Sequence, residues 1–126
     1  MKNGIHRIVE DGILWKEETY KDGKKHGISK WYYDDGSLSG EEFYKNGKRD
    51  GPYKYYHENG NIMSVGKYLN QQKDSVWYVF SERNELLNSE DYVEGKIHGK
   101  QFLYYPVEVN KEQIKIMEMY NNYKKK

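Results

Sequence analysis

Apolar and polar positions alternate along this chain in runs of strand length, and the pattern repeats. Tyr20, Tyr44, Tyr68 and Tyr92 stand 24 positions apart. Around them, Tyr20-Lys21-Asp22-Gly23-Lys24-Lys25-His26-Gly27 returns as Tyr44-Lys45-Asn46-Gly47-Lys48-Arg49-Asp50-Gly51, then as a worn copy from Tyr68 and a sharper one from Tyr92. Gly12, Gly36 and Gly60 hold a second phase, which Asn84 continues, and Leu14, Leu38, Ile62 or Leu86 follows two residues later. The turn signals fall between runs of alternating character: Ile28 to Tyr33, Leu38 to Tyr44, Tyr53 to His57, Ile62 to Tyr68, Trp77 to Phe80 and Phe102 to Tyr105. Asp-Gly and Asn-Gly pairs suit hairpin turns, because both central residues take positive φ there. Two strands per unit follow. The fold class predicted is all-β: an elongated, single-layer antiparallel meander of hairpin repeats of about 24 residues.

The units fill the chain, so residues 1–126 read as a single repeat domain. It opens with a half repeat at 5–19 and continues through repeats at about 20–43, 44–67, 68–91 and 92–123, the last with a longer loop at 106–113. For 112–123 the periodicity fits a strand or a short helix, and the Ile114 to Tyr120 spacing favours the strand. In the third unit Gln71, Ser75 and Asn84 replace all three marker glycines, which predicts an irregular loop at 70–76 and weaker local pairing.

Alternation also assigns faces. Trp31, Tyr55, Val79 and Leu103 form a central ladder, taken as the better-buried side. Lys30, Lys54, Tyr78 and Phe102, with Tyr32, Tyr56, Phe80 and Tyr104, occupy the other. Gly40 and Gly66 interrupt the second strands, leaving room for a neighbouring ring.

Composition changes the picture in three ways. The chain is only 36% hydrophobic and 33% charged, but its 16% aromatic content and phased turns argue against disorder. A net charge of +1 provides no field for nucleic acid or anionic lipid. The absence of cysteine removes disulfides, thiolate catalysis and cysteine-ligated zinc. Met1 to Glu10 contains no apolar run and no stretch approaches a membrane span, so the expected location is cytoplasmic and membrane association is not favoured.

The pattern Tyr44-Lys45-Asn46-Gly47-Lys48-Arg49-Asp50-Gly51, the pair Tyr55-Tyr56, and Glu58-Asn59-Gly60-Asn61-Ile62 resemble the bacterial variant of the MORN repeat. The resemblance covers roughly Gly12 to Tyr105. Proteins built from this variant are often described as antitoxin components of toxin–antitoxin modules. The resemblance implies an elongated single-layer sheet with a scaffold or binding role, and it carries over no catalytic residue.

Candidate chemistry is sparse. His26 and His98 share one repeat position, and a regular meander separates them by roughly 29 Å, too far to share a metal. The turn carboxylates Asp34, Asp35, Asp50, Glu58 and Asp74 suit Asx-type turns better than acid–base work, and the serines lack a nucleophile-elbow context. No enzyme activity, cofactor or metal is expected. The expected function is a protein-binding repeat module that covers a partner, with a toxin or effector as the partner class, and with no nucleic-acid role. Its candidate partner-binding residues are Lys30, Tyr32, Lys54, Tyr56, Tyr78, Phe80 and Tyr104. The simpler reading of these residues is the second face of a sheet. Two other functions compete: a cell-wall or glycan-binding aromatic repeat, and a weak peripheral membrane binder. The period of 24, the lack of a Gly-Trp opening pair and the near-zero charge count against them.

Overall fold

The computed structural model describes residues 1–97, the backbone of 102–108, and 112–115. The strands are β1 (Gly4–Glu10), β2 (Ile13–Lys21), β3 (Lys24–Tyr32), β4 (Leu38–Lys45), β5 (Lys48–Tyr56), β6 (Ile62–Leu69), β7 (Gln72–Phe80), β8 (Glu85–Val93), β9 (Lys96–Ile97) and β10 (Phe102–Glu108). They form one antiparallel sheet in chain order from β1 to β8, with β9 and β10 both paired to β8. This is the all-β open meander that the periodicity predicts.

Hairpin turns follow from local chemistry. Asp22 and Gly23 take φ of 51° and 81°, Asn46 and Gly47 50° and 85°, and Glu94 and Gly95 51° and 82°. Two consecutive positive angles match the twist of the flanking strands. Each turn is then bonded to the preceding unit. The amides of Gly23, Gly47, Gln71 and Gly95 donate to the carbonyls of Lys2, Lys25, Arg49 and Lys73 at 2.9, 2.8, 2.7 and 2.9 Å. Side chains add to this ladder: Asp22 N donates to Asn3 Oδ1, Asn46 N to His26 Nδ1 and Asn70 N to Asp50 Oδ1. His26 therefore works as a turn cap.

Every unit also carries bulges. Trp15, Ser39, Met63 and Leu87 are the extra residues where β2, β4, β6 and β8 lose register against the preceding strand. On β3, β5 and β7 the second irregularity centres on Gly27, Gly51 and Ser75, with φ of 107°, 116° and 62°. Bulges raise local twist, so the marker position at the start of each odd strand serves a bend within the strand.

Cross-strand partners define two faces. The ring face carries Trp31, Gly40, Tyr55, Ser64 and Val79 in register. The opposite face, called the lysine face below, carries Lys30, Glu41, Lys54, Val65 and Tyr78. Gly40 and Gly66 do seat neighbouring rings: a Cβ on Gly40 would lie 2.3 Å from Tyr55 ring atoms, and one on Gly66 2.1 Å from the Trp77 indole.

Four expectations need correction. Val79 is 36% exposed, whereas Trp77, two residues earlier on the same face, is 7% exposed because Gly66 opens space for it. Gln71, Ser75 and Asn84 adopt φ of 74°, 62° and 63°, so the third unit keeps the glycine geometry and its turn is bonded like the others. β10 continues through Pro106 to Glu108, with the register slipping between Leu103 and Val107, where a proline is tolerated. Residues 112–115 form a helical turn in place of the favoured strand, because Ile114 is thereby buried on the sheet; residues 116–123 lie outside the described residues. So do the side chains of His98, Phe102, Leu103 and Tyr104.

The apolar core sits on the lysine face of the C-terminal half. Val65, Phe80, Leu86 and Ile114 are buried together, with Ile62 and Tyr78 against them.

Two substitutions test this account of the backbone. Gly40→Ala should cost about 1–3 kcal/mol in chemical denaturation, because the Tyr55 ring must leave its seat. Ser75 is 3% exposed, has positive φ, and its hydroxyl has no hydrogen-bond partner among the described residues. Ser75→Gly should therefore raise stability by about 1 kcal/mol; a lower melting temperature would contradict the bulge assignment.

Candidate functional site

The lysine face is an ordered charge ladder in its N-terminal half. Register places Arg7, Glu17, Lys30, Glu41 and Lys54 in succession on β1 to β5, with alternating sign. Arg7 Nε lies 2.9 Å from Glu17. Tyr32 donates its phenol to the same carboxylate, and that bond, together with burial, pushes its pKa up to about 12. Ile5 and Val9 at the β1 edge are 56% and 55% exposed.

Six of the seven candidate residues, all but Tyr104, are brought onto this one face but not into one environment. Lys30, Tyr32, Lys54 and Tyr56 are half-buried and line the open part. Tyr78 stacks on Phe80 with centroids 6.4 Å apart and joins the core. Phe80 itself is 1% exposed, so its placement on the open surface is corrected: Val65 and Leu86 flank it, and Ile114 joins them in the same buried cluster. The Tyr104 side chain lies outside the described residues.

The opposite face is covered by its own side chains. Lys2 lies 5.0 Å from the Tyr20 ring centroid, Lys25 4.9 Å from Tyr44, Arg49 5.3 Å from Tyr68 and Lys73 5.1 Å from Tyr92. Each cation on β3, β5 and β7 is also the cross-strand partner of the preceding tyrosine. Rings and cations thus alternate along the sheet. Inside this row, Trp77 meets Tyr53 at 4.6 Å and Tyr68 at 5.1 Å. The sequence contains the signal, a cation five residues after Tyr20, Tyr44 and Tyr68, but a single strand's alternation does not show which ring it stacks on.

Beneath the cations lie buried carboxylates. Glu18 is 6% exposed and contacts Lys25 Nζ at 2.7 Å and Lys16 Nζ at 3.6 Å. Burial pushes its carboxyl up, but the hydrogen bond and charge of Lys25, with Lys16, outweigh this and hold it below 4.5. Lys25 shows the converse: burial lowers it, and Glu18 with the neighbouring tyrosines raises it above 10.5. Glu42, 3% exposed, contacts Arg49 Nε at 2.8 Å and accepts from the Tyr55 phenol at 2.9 Å. Burial and Glu42 raise the Tyr55 pKa, and burial pushes Tyr53 up to about 12. These groups serve the sheet. Among the described residues no cluster of His, Asp and Glu has the arrangement of a metal site.

An open meander of hairpin units, with one self-covered ring face and one partly open charged face, is the architecture of a repeat module. The family model described as MORN repeat variant matches residues 25–46 and 49–70, two successive segments of the chain that are similar to that repeat. No curated protein matches the chain significantly. Among solved structures, a chain in "Crystal structure of accessory secretory protein 1,2 and 3 in Streptococcus pneumoniae" is similar at 16% identity and a TM-score of 0.42. That match covers 75% of this chain, which spans 18% of that one.

The Glu18–Lys25 pair sets a pH dependence. A carboxyl with a depressed pKa stabilises the fold above its unfolded value and loses that contribution as pH falls through the folded one. A raised lysine contributes below 10.5 and loses it as pH rises through its folded value. The stability difference between wild type and Glu18→Gln should be flat from about pH 5 to 10 and shrink below about pH 4. A pH-independent difference across an acid denaturation series would show that the carboxylate charge is not involved.

Proposed function

We propose that this chain is a non-enzymatic protein-binding module that acts by covering a partner's surface, with a toxin or effector as the partner class. The observation that carries the reading is the half-open lysine face. There Lys30, Tyr32, Lys54 and Tyr56 lie side by side with alternating carboxylates and the exposed Ile5 and Val9. Tyrosines rimmed by charge are enriched at protein interfaces, and a broad face can present the roughly 800 Å² per partner of an ordinary complex without a pocket. The ring face supports a glycan platform less well, because its rings pack on one another and the Tyr55 hydroxyl is committed to Glu42. No helix among the described residues is long and apolar enough to cross a membrane.

Tyr55 and Tyr56 are adjacent and point to opposite faces, which makes them a controlled pair. Against a protein that co-purifies with the full chain, with binding measured by calorimetry, Tyr56→Ala should weaken binding at least tenfold with little loss of stability. Tyr55→Ala should instead lower stability by about 2–4 kcal/mol, since it empties the Gly40 seat and removes a hydrogen bond to buried Glu42. The reverse assignment of effects would place the working surface on the ring face.

A further inference from the structure

At the C-terminal end of the lysine face, the helical turn at 112–115 leaves a cleft of about 440 Å³ against the sheet and the β5–β6 loop. That volume lies within the range of small-ligand and side-chain sites. Its apolar surface comes from Ile62, Ile114 and the Tyr56 ring, and Lys54 and Lys115 enter the lining from the sheet and the helical turn. Asn61 and Asn84 line the same cleft. Glu41, the cross-strand partner of Lys54, is not part of the lining.

Asn84 is the informative residue. It stands where the two preceding units have Gly36 and Gly60, and it holds a φ of 63° that glycine would adopt without strain. Its amide N–H closes the loop onto Ser81 O, but its carboxamide makes no hydrogen bond among the described residues. Neither does the Lys115 ammonium, which makes no ion pair there either. The departure from the repeat thus places a carboxamide at the cleft beside an uncommitted ammonium.

We propose that this cleft recognises a segment of the partner protein in which a carboxylate side chain lies next to an aliphatic one. The aliphatic group packs on Ile62 and the Tyr56 ring, and the carboxylate meets Lys115, Lys54 and the carboxamide of Asn84. The polarity is set by charge complementarity: among the described residues of the lining are two cations and two amides and no carboxylate. The inference rests on the reading of the chain as a protein-binding module, and it locates one anchor point on that module's face.

The probe is acetyl-Asp-Leu-amide, titrated into the ¹⁵N-labelled full chain and followed by amide shifts. The expected result is saturable millimolar binding with shifts confined to Asn61, Asn84 and their neighbours. Acetyl-Asn-Leu-amide and acetyl-Asp-Gly-amide should each bind at least fivefold more weakly. Asn84→Gly and Lys115→Gln should each weaken the first probe by at least threefold, and Asn84→Gly should not lower the melting temperature. Equal binding of all three probes, shifts scattered over other faces, or unchanged affinity in both variants would overturn the proposal. If both variants bind the whole partner protein normally while Tyr32→Ala, which lies on the same face outside the cleft, does not, the cleft assignment fails and the module reading stands. Loss of partner binding in none of the three would remove the module reading itself.

Discussion

A sheet with no second layer has to cover its own faces, and here the ring face is covered by tyrosines and cations stacked alternately along it. Lys2, Lys25, Arg49 and Lys73 each sit over the tyrosine of the following hairpin, and three of them lie across from the tyrosine before. An aromatic ring attracts a cation through its quadrupole by about 0.5–2 kcal/mol, depending on how far the pair is desolvated. The long stems of lysine and arginine also shield apolar surface while the charge stays near water. The same cations neutralise Glu18 and Glu42, which would otherwise be costly to bury. Lys25 and Arg49 therefore each cover a ring, pair a carboxylate and, through their carbonyls, accept the amide of the next turn.

The lysine face uses a different solution at each end. In β1 to β5, opposite charges alternate across the strands, which keeps that surface soluble and half open. From β6 onward the central row changes to Val65 and Tyr78, and Phe80 and Leu86 join them in a small core to which Ile114 contributes. The substitution of apolar residues for lysine and glutamate along this row makes the molecule polar at one end and anchored at the other. A binding face and a stabilising core thus occupy the same side of the sheet.

Much of the fold is legible in the sequence, because it is written in local signals repeated at a fixed period. The turn pairs at Asp22, Asn46 and Glu94, the phased tyrosines and the strand-interior glycines Gly40 and Gly66 each carry their own physical reason. What the sequence conceals depends on contacts between units. The burial of Phe80 depends on Ile114, which lies 34 positions further along, and the tight seat of Trp77 depends on a glycine in the neighbouring strand. The third unit looks degraded as text, yet Gln71, Ser75 and Asn84 hold positive φ where the other units have glycine, and the Gln71 amide is bonded to the preceding unit as the turn glycines are. Of the candidate site, alternation placed Lys30, Tyr32, Lys54 and Tyr56 on one face; it had no means of showing that Asn84 and Lys115 share a cleft.

The ring–cation stack couples successive units, and a double-mutant cycle at Arg49 and Tyr68 measures that coupling. Arg49→Met keeps the apolar stem and Tyr68→Leu keeps apolar bulk, so the cycle isolates the stacking contact from burial and from the Glu42 pair. A favourable coupling of about 0.5–2 kcal/mol in denaturant unfolding is expected, since the pair is partly desolvated. Strictly additive effects of the two substitutions would contradict it, leaving backbone pairing and turn bonds alone to hold the units together.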